Sequence, residues 1–226
     1  MRKLKLGRRP ARMASALAVG LLMVTGLSAT SATSANAASS SASAAPELGV
    51  RFYPDGNGQC DGPANPPERW VTAPDWTTAI RLDTDNRAGG CQLAFGIYDP
   101  SNSLAGLNAT YTWEAEPGSD DSQCQNGGTK TIPIKPFKTF GDLIRVDTDG
   151  RAGWCNLTFA LSGRSDIGLD VQFYGDGGAD AGGQCKNYRP KDTYDTAYEG
   201  HPVTVSDDTD GRAGGCYLSL RLNRLF

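Results

Sequence analysis

The stretch that decides the fold is IRLDTDNRAGGCQLAFGI, residues 80–97, because the chain repeats it twice: IRVDTDGRAGWCNLTFAL at 144–161 and VSDDTDGRAGGCYLSLRL at 205–222. Each copy runs from an apolar segment into Asp-Thr-Asp, then Asn or Gly, then Arg-Ala-Gly, and then a cysteine that opens an alternating apolar strand. A second cysteine precedes each copy by a constant interval: Cys60 before Cys91, Cys124 before Cys155, Cys185 before Cys216. Self-similarity at a fixed period signals a repeat architecture. It divides the chain into units at 47–104, 105–166 and 167–226.

Working outward from the repeated cysteines, Cys91, Leu93, Phe95 and Ile97 alternate with polar or small residues. Cys155, Leu157, Phe159 and Leu161 do the same, as do Cys216, Leu218, Leu220 and Leu222. Period two places one face inward and leaves Gln92, Asn156, Thr158, Ser219 and Arg221 outward. A second alternating segment opens each unit, at Leu48-Val50-Phe52, Leu107-Ala109-Tyr111 and Leu169-Val171-Phe173. Gly and Pro interrupt almost every window that could otherwise hold a helical period. The expectation is an all-β protein of about four strands per unit, roughly twelve in all. A 60-residue unit is marginal by itself, so three units sharing a centre in a β-trefoil-like arrangement are preferred. Three tandem mini β-sandwiches are the alternative. In the third copy Asp207 stands where Leu82 and Val146 stand, which predicts a more exposed strand there.

Pairing within each repeat is the one scheme that treats the three copies alike, so Cys60–Cys91, Cys124–Cys155 and Cys185–Cys216 are the expected disulfides. With a single histidine and no CxxC, a zinc site lacks ligands. The Asp-Thr-Asp turn resembles the start of an EF-type calcium loop at Asp83 and Asp85. The next ligand position, however, holds Arg87, and Arg151 and Arg212 repeat the mismatch. The turn is therefore read as scaffold, with Asp83, Asp85 and Arg87, Asp147, Asp149 and Arg151, and Asp208, Asp210 and Arg212 as its structural residues. No metal or cofactor is expected.

Residues 1–37 read as a secretory signal peptide: a basic head from Arg2 to Arg12, an apolar run from Ala14 to Leu27, and Ala35-Asn36-Ala37 as the cleavage signature. The leader holds six of the chain's 22 basic residues and none of its 25 acidic ones, leaving an exported part with a net charge of −9. Such acidity argues against nucleic acid and anionic lipid as partners. No second apolar run tethers the mature chain to a membrane, so the expected location is extracellular. Residues 38–46 (ASSSASAAP) are too small and polar to order themselves and read as a flexible arm before the 47–226 β domain.

Enzyme readings find little. His201, the only histidine, stands between Gly200 and Pro202 in a loop, and no GxSxG follows a strand. Carboxylates are abundant, but nothing distinguishes an acid–base pair. What remains is binding by arm and aromatics, with Glu47, Leu48, Tyr53, Trp113, Trp154, Tyr174 and Tyr217 as candidate partner contacts. A protein partner is the first expectation. A glycan bound in the manner of a trefoil-type lectin is the second, and a protease-inhibiting loop at 61–75 is the third.

The leader, the Ser/Ala-rich arm and the disulfide-bonded acidic β body together resemble small exported proteins of Streptomyces-type actinobacteria. The layout is similar to the adaptor subunit of umbrella toxin particles. That resemblance implies a non-catalytic protein that joins other subunits in a secreted toxin complex. It covers layout alone, and no residue role is carried over from it.

Overall fold

In a computed structural model the chain is described over residues 44–56, 60–61, 68–83, 89–118, 124–147, 153–176, 185–186, 189–208 and 215–225. These residues form sixteen β-strands and no helix. The first segment gives β1 (Glu47–Gly56), β2 (Cys60–Asp61), β3 (Glu68–Thr72), β4 (Ile80–Asp83) and β5 (Gly89–Tyr98). The second gives β6 (Asn108–Ala115), β7 (Cys124–Gln125), β8 (Gly128–Thr131), β9 (Ile134–Lys135), β10 (Ile144–Asp147) and β11 (Trp154–Ser162). The third gives β12 (Ile167–Gly175), β13 (Cys185–Lys186), β14 (Asp195–Ala197), β15 (Val203–Asp208) and β16 (Gly215–Arg224). The count exceeds the expected twelve because β2, β7, β9 and β13 are two-residue strands, too short to leave an alternation in the sequence.

The long strands follow the alternation closely. In β11 every second residue from Cys155 to Leu161 is buried while the residues between are half-buried. Each long terminal strand then gains partners from a different stretch of chain on its two sides. In the first sheet, β5 pairs with β1 from Glu47↔Tyr98 to Gly56↔Gly89 and, on its other edge, with β10 from Ile144↔Leu93 to Asp147↔Gly90. The order is β3-β1-β5-β10-β7, with β9 added in parallel to the end of β5. The second sheet runs β13-β15-β11-β6-β8 and the third β14-β12-β16-β4-β2. Each sheet thus combines three strands of one segment with strands of another, three in the first sheet and two in each of the others, and the third sheet joins β16 to β4 of the first segment. The strands form three sheets rather than the barrel of a trefoil. Independent mini-sandwiches would confine pairing to each segment, whereas every one of these sheets also pairs strands of two segments.

The inward faces meet in one core. Phe95 of β5 packs edge-on against Tyr111 of β6 at 5.0 Å and Phe159 of β11 at 5.2 Å between ring centroids. Leu48, Leu93, Ile144, Leu157, Phe173, Leu218 and Leu220 complete it from all three sheets. Burial of such side chains contributes on the order of 1.5–3 kcal/mol each, which is the main reason the sheets hold together. Two polar anchors reach into this layer: the Tyr111 hydroxyl donates to the Asp142 carbonyl, and Trp113 Nε1 donates to the Arg145 carbonyl at 3.2 Å. Burial, reinforced by the nearby Asp142 charge, pushes the Tyr111 phenol well above its ordinary value.

The disulfides join neighbouring sheets. Cys124 on β7 of the first sheet bonds Cys155 on β11 of the second, and Cys185 on β13 of the second bonds Cys216 on β16 of the third, each with Cα atoms 5.7 Å apart. Both span 31 residues of sequence as expected, and a loop of that length gives roughly 3–4 kcal/mol in the chain-entropy model. Cys91 is disulfide-bonded too, while the side chain of Cys60, its expected partner, lies outside the described residues. The penultimate residue of each inserted strand stands in register between two cysteines: Val146 opposite Cys91 and Cys124, Asp207 opposite Cys155 and Cys185, Leu82 opposite Cys216 and Cys60. Asp207 is therefore not the exposed residue that its charge predicts; it is only 2% exposed, because its strand position places it inside the stapled ring whatever its side chain.

One loop has its own organising carboxylate. Asp99, buried after β5, accepts from Leu104 N (2.8 Å), Ser103 N (3.1 Å) and the hydroxyls of Ser101 and Ser103. Burial alone would raise its pKa, but these bonds outweigh it and hold Asp99 below its ordinary value.

Candidate interaction surface

The outward faces of the three sheets differ, and the difference comes from what the following loop lays over each. On the first sheet Trp70 of β3 lies flat across β1 and β5. A Cβ added at Gly49 would come within 2.6 Å of its ring, so glycine there makes room for the indole, while one at Gly96 would collide with the Thr139 carbonyl oxygen and lie 3.1 Å from the ring. Phe140 caps Trp70 at 4.8 Å. Lys138 stands 5.4 Å from the Trp70 ring and 5.5 Å from Tyr98, and pairs with Glu47 at 2.6 Å. Arg51 sits over Phe140 and bonds Glu68. The 132–142 segment is held down by backbone bonds from Ile97 N to Pro133 O and from Gly141 N to Phe95 O.

The third sheet is covered in a different way. Asp170 of β12, 1% exposed, accepts from Arg221 of β16 at 2.8 Å and from Thr196 at 2.7 Å. Trp76 and Tyr194 sit 4.5 and 4.9 Å from the Arg221 guanidinium and meet each other edge-on. Burial works against the Arg221 charge, yet the bonds to Asp170 win and hold its pKa above the ordinary value. Thr77 clips the loop to β16, through Thr77 N to Leu220 O and Leu220 N to Thr77 Oγ1. Further along the same face Tyr174 and Tyr217 stack at 5.2 Å. Burial, the neighbouring Tyr217 and Asp192 all raise the Tyr174 phenol.

Among the described residues no ring of comparable kind lies over the threonines of the second sheet, although Ser206 at its margin is buried. Its outward positions form rows across the strands: Thr129 (β8), Thr112 (β6), Thr158 (β11) and Thr204 (β15) stand side by side in register. Thr112 and Thr129 share a hydrogen bond at 2.9 Å, Thr158 and Thr204 one at 2.7 Å. Thr131 and Thr110 make a parallel second row, and Asn156 with Ser206 begins a third. Thr129, Thr131 and Thr204 are exposed and the other threonines half-exposed. Cross-strand threonine pairs stabilise a sheet modestly, and β-branched side chains lose little further rotamer freedom on contact. Glu114 near one corner is the charged residue of this face among those whose side chains are described, and the register also places Lys186 of β13 and Asp208 of β15 on it.

The residues expected to make partner contacts do not gather in one place. Leu48 and Trp113 are core residues, Trp113 being 1% exposed. The alternation places Trp113 inward, two residues beyond Tyr111, so its ring size is no guide to exposure. Glu47 is engaged with Lys138. Tyr53 is half-buried on the first sheet, Trp154 half-buried at the start of β11, and only Tyr174 and Tyr217 touch each other. Ser219, expected outward, is buried and donates to Gln172 at 2.9 Å. Asp85, Arg87, Asp149, Arg151, Asp210 and Arg212 lie outside the described residues, as do the side chains of Asp83, Asp147 and Asp208, which are the last residues of β4, β10 and β15. Among the described residues no three His, Cys, Asp or Glu side chains come together as a metal ion would require. The threonine rows were readable in the sequence as Thr110-x-Thr112, Thr129-x-Thr131 and Thr204-x-Ser206, on the parity opposite to the core. Compared with protein-family models, curated proteins and solved structures, the chain matches none.

Proposed function

We propose that the exported chain is a non-catalytic protein-interaction module, an adaptor in a secreted complex, and that the outward face of the second sheet is its docking surface. The single observation that carries this reading is the bare, register-aligned threonine rows on a frame whose other two outward faces are filled by their own rings. The central row of four threonines is uncharged and stiff, and interface cores are depleted of charge. Four strands about 4.8 Å apart over some 20 Å of length give about 400 Å², half of what a standard interface takes from each partner. Further contacts are needed, and we assign them to the arm at 38–46. The three units are read as repeats in cyclic exchange, with the pseudo-threefold order of a trefoil but open sheets in place of its barrel. The third disulfide, Cys60–Cys91, belongs to the same reading.

The test is affinity capture from the native culture supernatant with wild type, Thr112→Lys/Thr158→Lys, and a chain lacking 38–46. The account expects a partner recovered with wild type, lost with the double lysine variant and weakened without the arm. Equal capture by all three would refute it.

A further inference from the structure

We propose that the groove where the β14–β15 hairpin meets the margin of the second sheet is a binding site for a neutral saccharide, one or two rings of a longer glycan. The groove holds about 420 Å³ and is lined by Arg189, Asp195, Thr196, Tyr198, His201 and Thr204, among others. That volume lies within the range of about 300–1,000 Å³ typical of small-molecule sites.

Three features set the chemistry. Tyr198 and His201 stack with ring centroids 4.2 Å apart and planes 28° from parallel, forming a two-ring plate. The plate is rigid because its hairpin closes on reciprocal backbone bonds, Tyr198 N to His201 O at 3.1 Å and His201 N to Tyr198 O at 2.8 Å. Gly200 at φ 77° makes the turn, a conformation that glycine adopts without strain. Both residues are exposed; each ring covers one face of the other, and an outer ring face is left to water where the C–H face of a pyranose could lie.

Beside it Arg189 grips Asp195 through two parallel bonds of 2.8 and 2.9 Å. The arginine backbone is itself fixed by its N–H to the Phe173 carbonyl. A planar fork of this kind presents further donors and acceptors at defined angles, yet its charges cancel, which disfavours a simple anion or cation and suits vicinal hydroxyls. Thr196 and Thr204 add hydroxyl groups at the groove wall. Plate, fork and hydroxyls are all held in place before a ligand arrives, and such preorganisation lowers the cost of binding.

His201 is the only histidine in the chain, so its imidazole carbon-bound protons give a reporter that needs no assignment. The experiment titrates the protein with cellotetraose, mannotetraose, maltotetraose and chitotetraose and follows those signals by NMR. At least one saccharide should shift them saturably at about millimolar concentration or below. Tyr198→Ala and Arg189→Ala should each weaken that binding about tenfold or more, roughly 1.4 kcal/mol. Thr112→Lys/Thr129→Lys, on β6 and β8 with β11 between them and Thr204, should leave it intact, which separates this site from the proposed protein-docking face. No shift with any of the four up to about 10 mM, or unchanged affinity in folded Tyr198→Ala, would overturn the assignment.

Discussion

The outward faces of the third and second sheets use the same strand register to opposite ends. At the position where β12 of the third sheet carries Asp170, locked to Arg221 under Trp76 and Tyr194, β6 of the second carries Thr110 beside Thr131. One face spends its polar groups on internal bonds and covers them with rings; the other leaves hydroxyls and methyls in open rows. The frame beneath is the same, so the difference lies in what stabilises the molecule and what is left for a partner. Side chains locked under a cover should matter to folding, and those in the open rows to association.

The largest effect that separates the two faces is expected from Arg221→Ala. It leaves Asp170 buried without its cation, and loss of one partner of a buried pair costs about 3–5 kcal/mol. Urea denaturation should show that loss, and Asp170→Asn combined with Arg221→Met should recover much of it. A midpoint unchanged in Arg221→Ala would mean that the cover is not structural. Next comes Trp70→Ala on the first sheet. The ring is half-buried over Gly49 and Gly96, so about 1.5–3 kcal/mol is expected, below the full cost of deleting a core aromatic. By contrast Thr112→Ala should shift stability by less than about 1 kcal/mol. If the threonine variant proved as damaging as the tryptophan one, the distinction between covered and open faces would fail.

How much of this the sequence disclosed follows from period and range. Strands β5, β11 and β16 were visible because apolar residues alternate with polar or small ones in the sequence, although burial alternates without interruption only in β11, Ala94 of β5 and Ser219 of β16 being buried too. The pairing partners of the described cysteines were visible because the interval repeats. The exchange of strands between segments was not, since a sheet edge binds through backbone groups that every residue carries. Asp207 misled for the same reason: its place in the ring of paired strands overrides its hydrophilic side chain. Trp113 and Leu48 were expected as partner contacts although their parity, shared with Tyr111 and with Val50, points inward. The threonine rows were legible in parity but lie on four strands far apart in the chain, and only the register brings them side by side.

The smallest effect isolates loop order from either face. The Asp99 carboxyl, held below its ordinary value in the folded protein, contributes stability that is present above the unfolded value near 3.9 and is lost as pH falls through the lower folded value. Asp99→Asn should lack that part of the acid dependence. Denaturation midpoints measured from pH 5 down to pH 2 (about 3 units of range) check the sign; a steeper acid loss in the variant would contradict it.

The most direct test of the docking assignment is amide hydrogen exchange on the protein alone and in the complex recovered from supernatant. The account predicts new protection on β6, β8, β11 and β15, with β1, β3 and β5 unchanged. Protection confined to the first or third sheet, with the threonine rows exchanging as in the free protein, would contradict it.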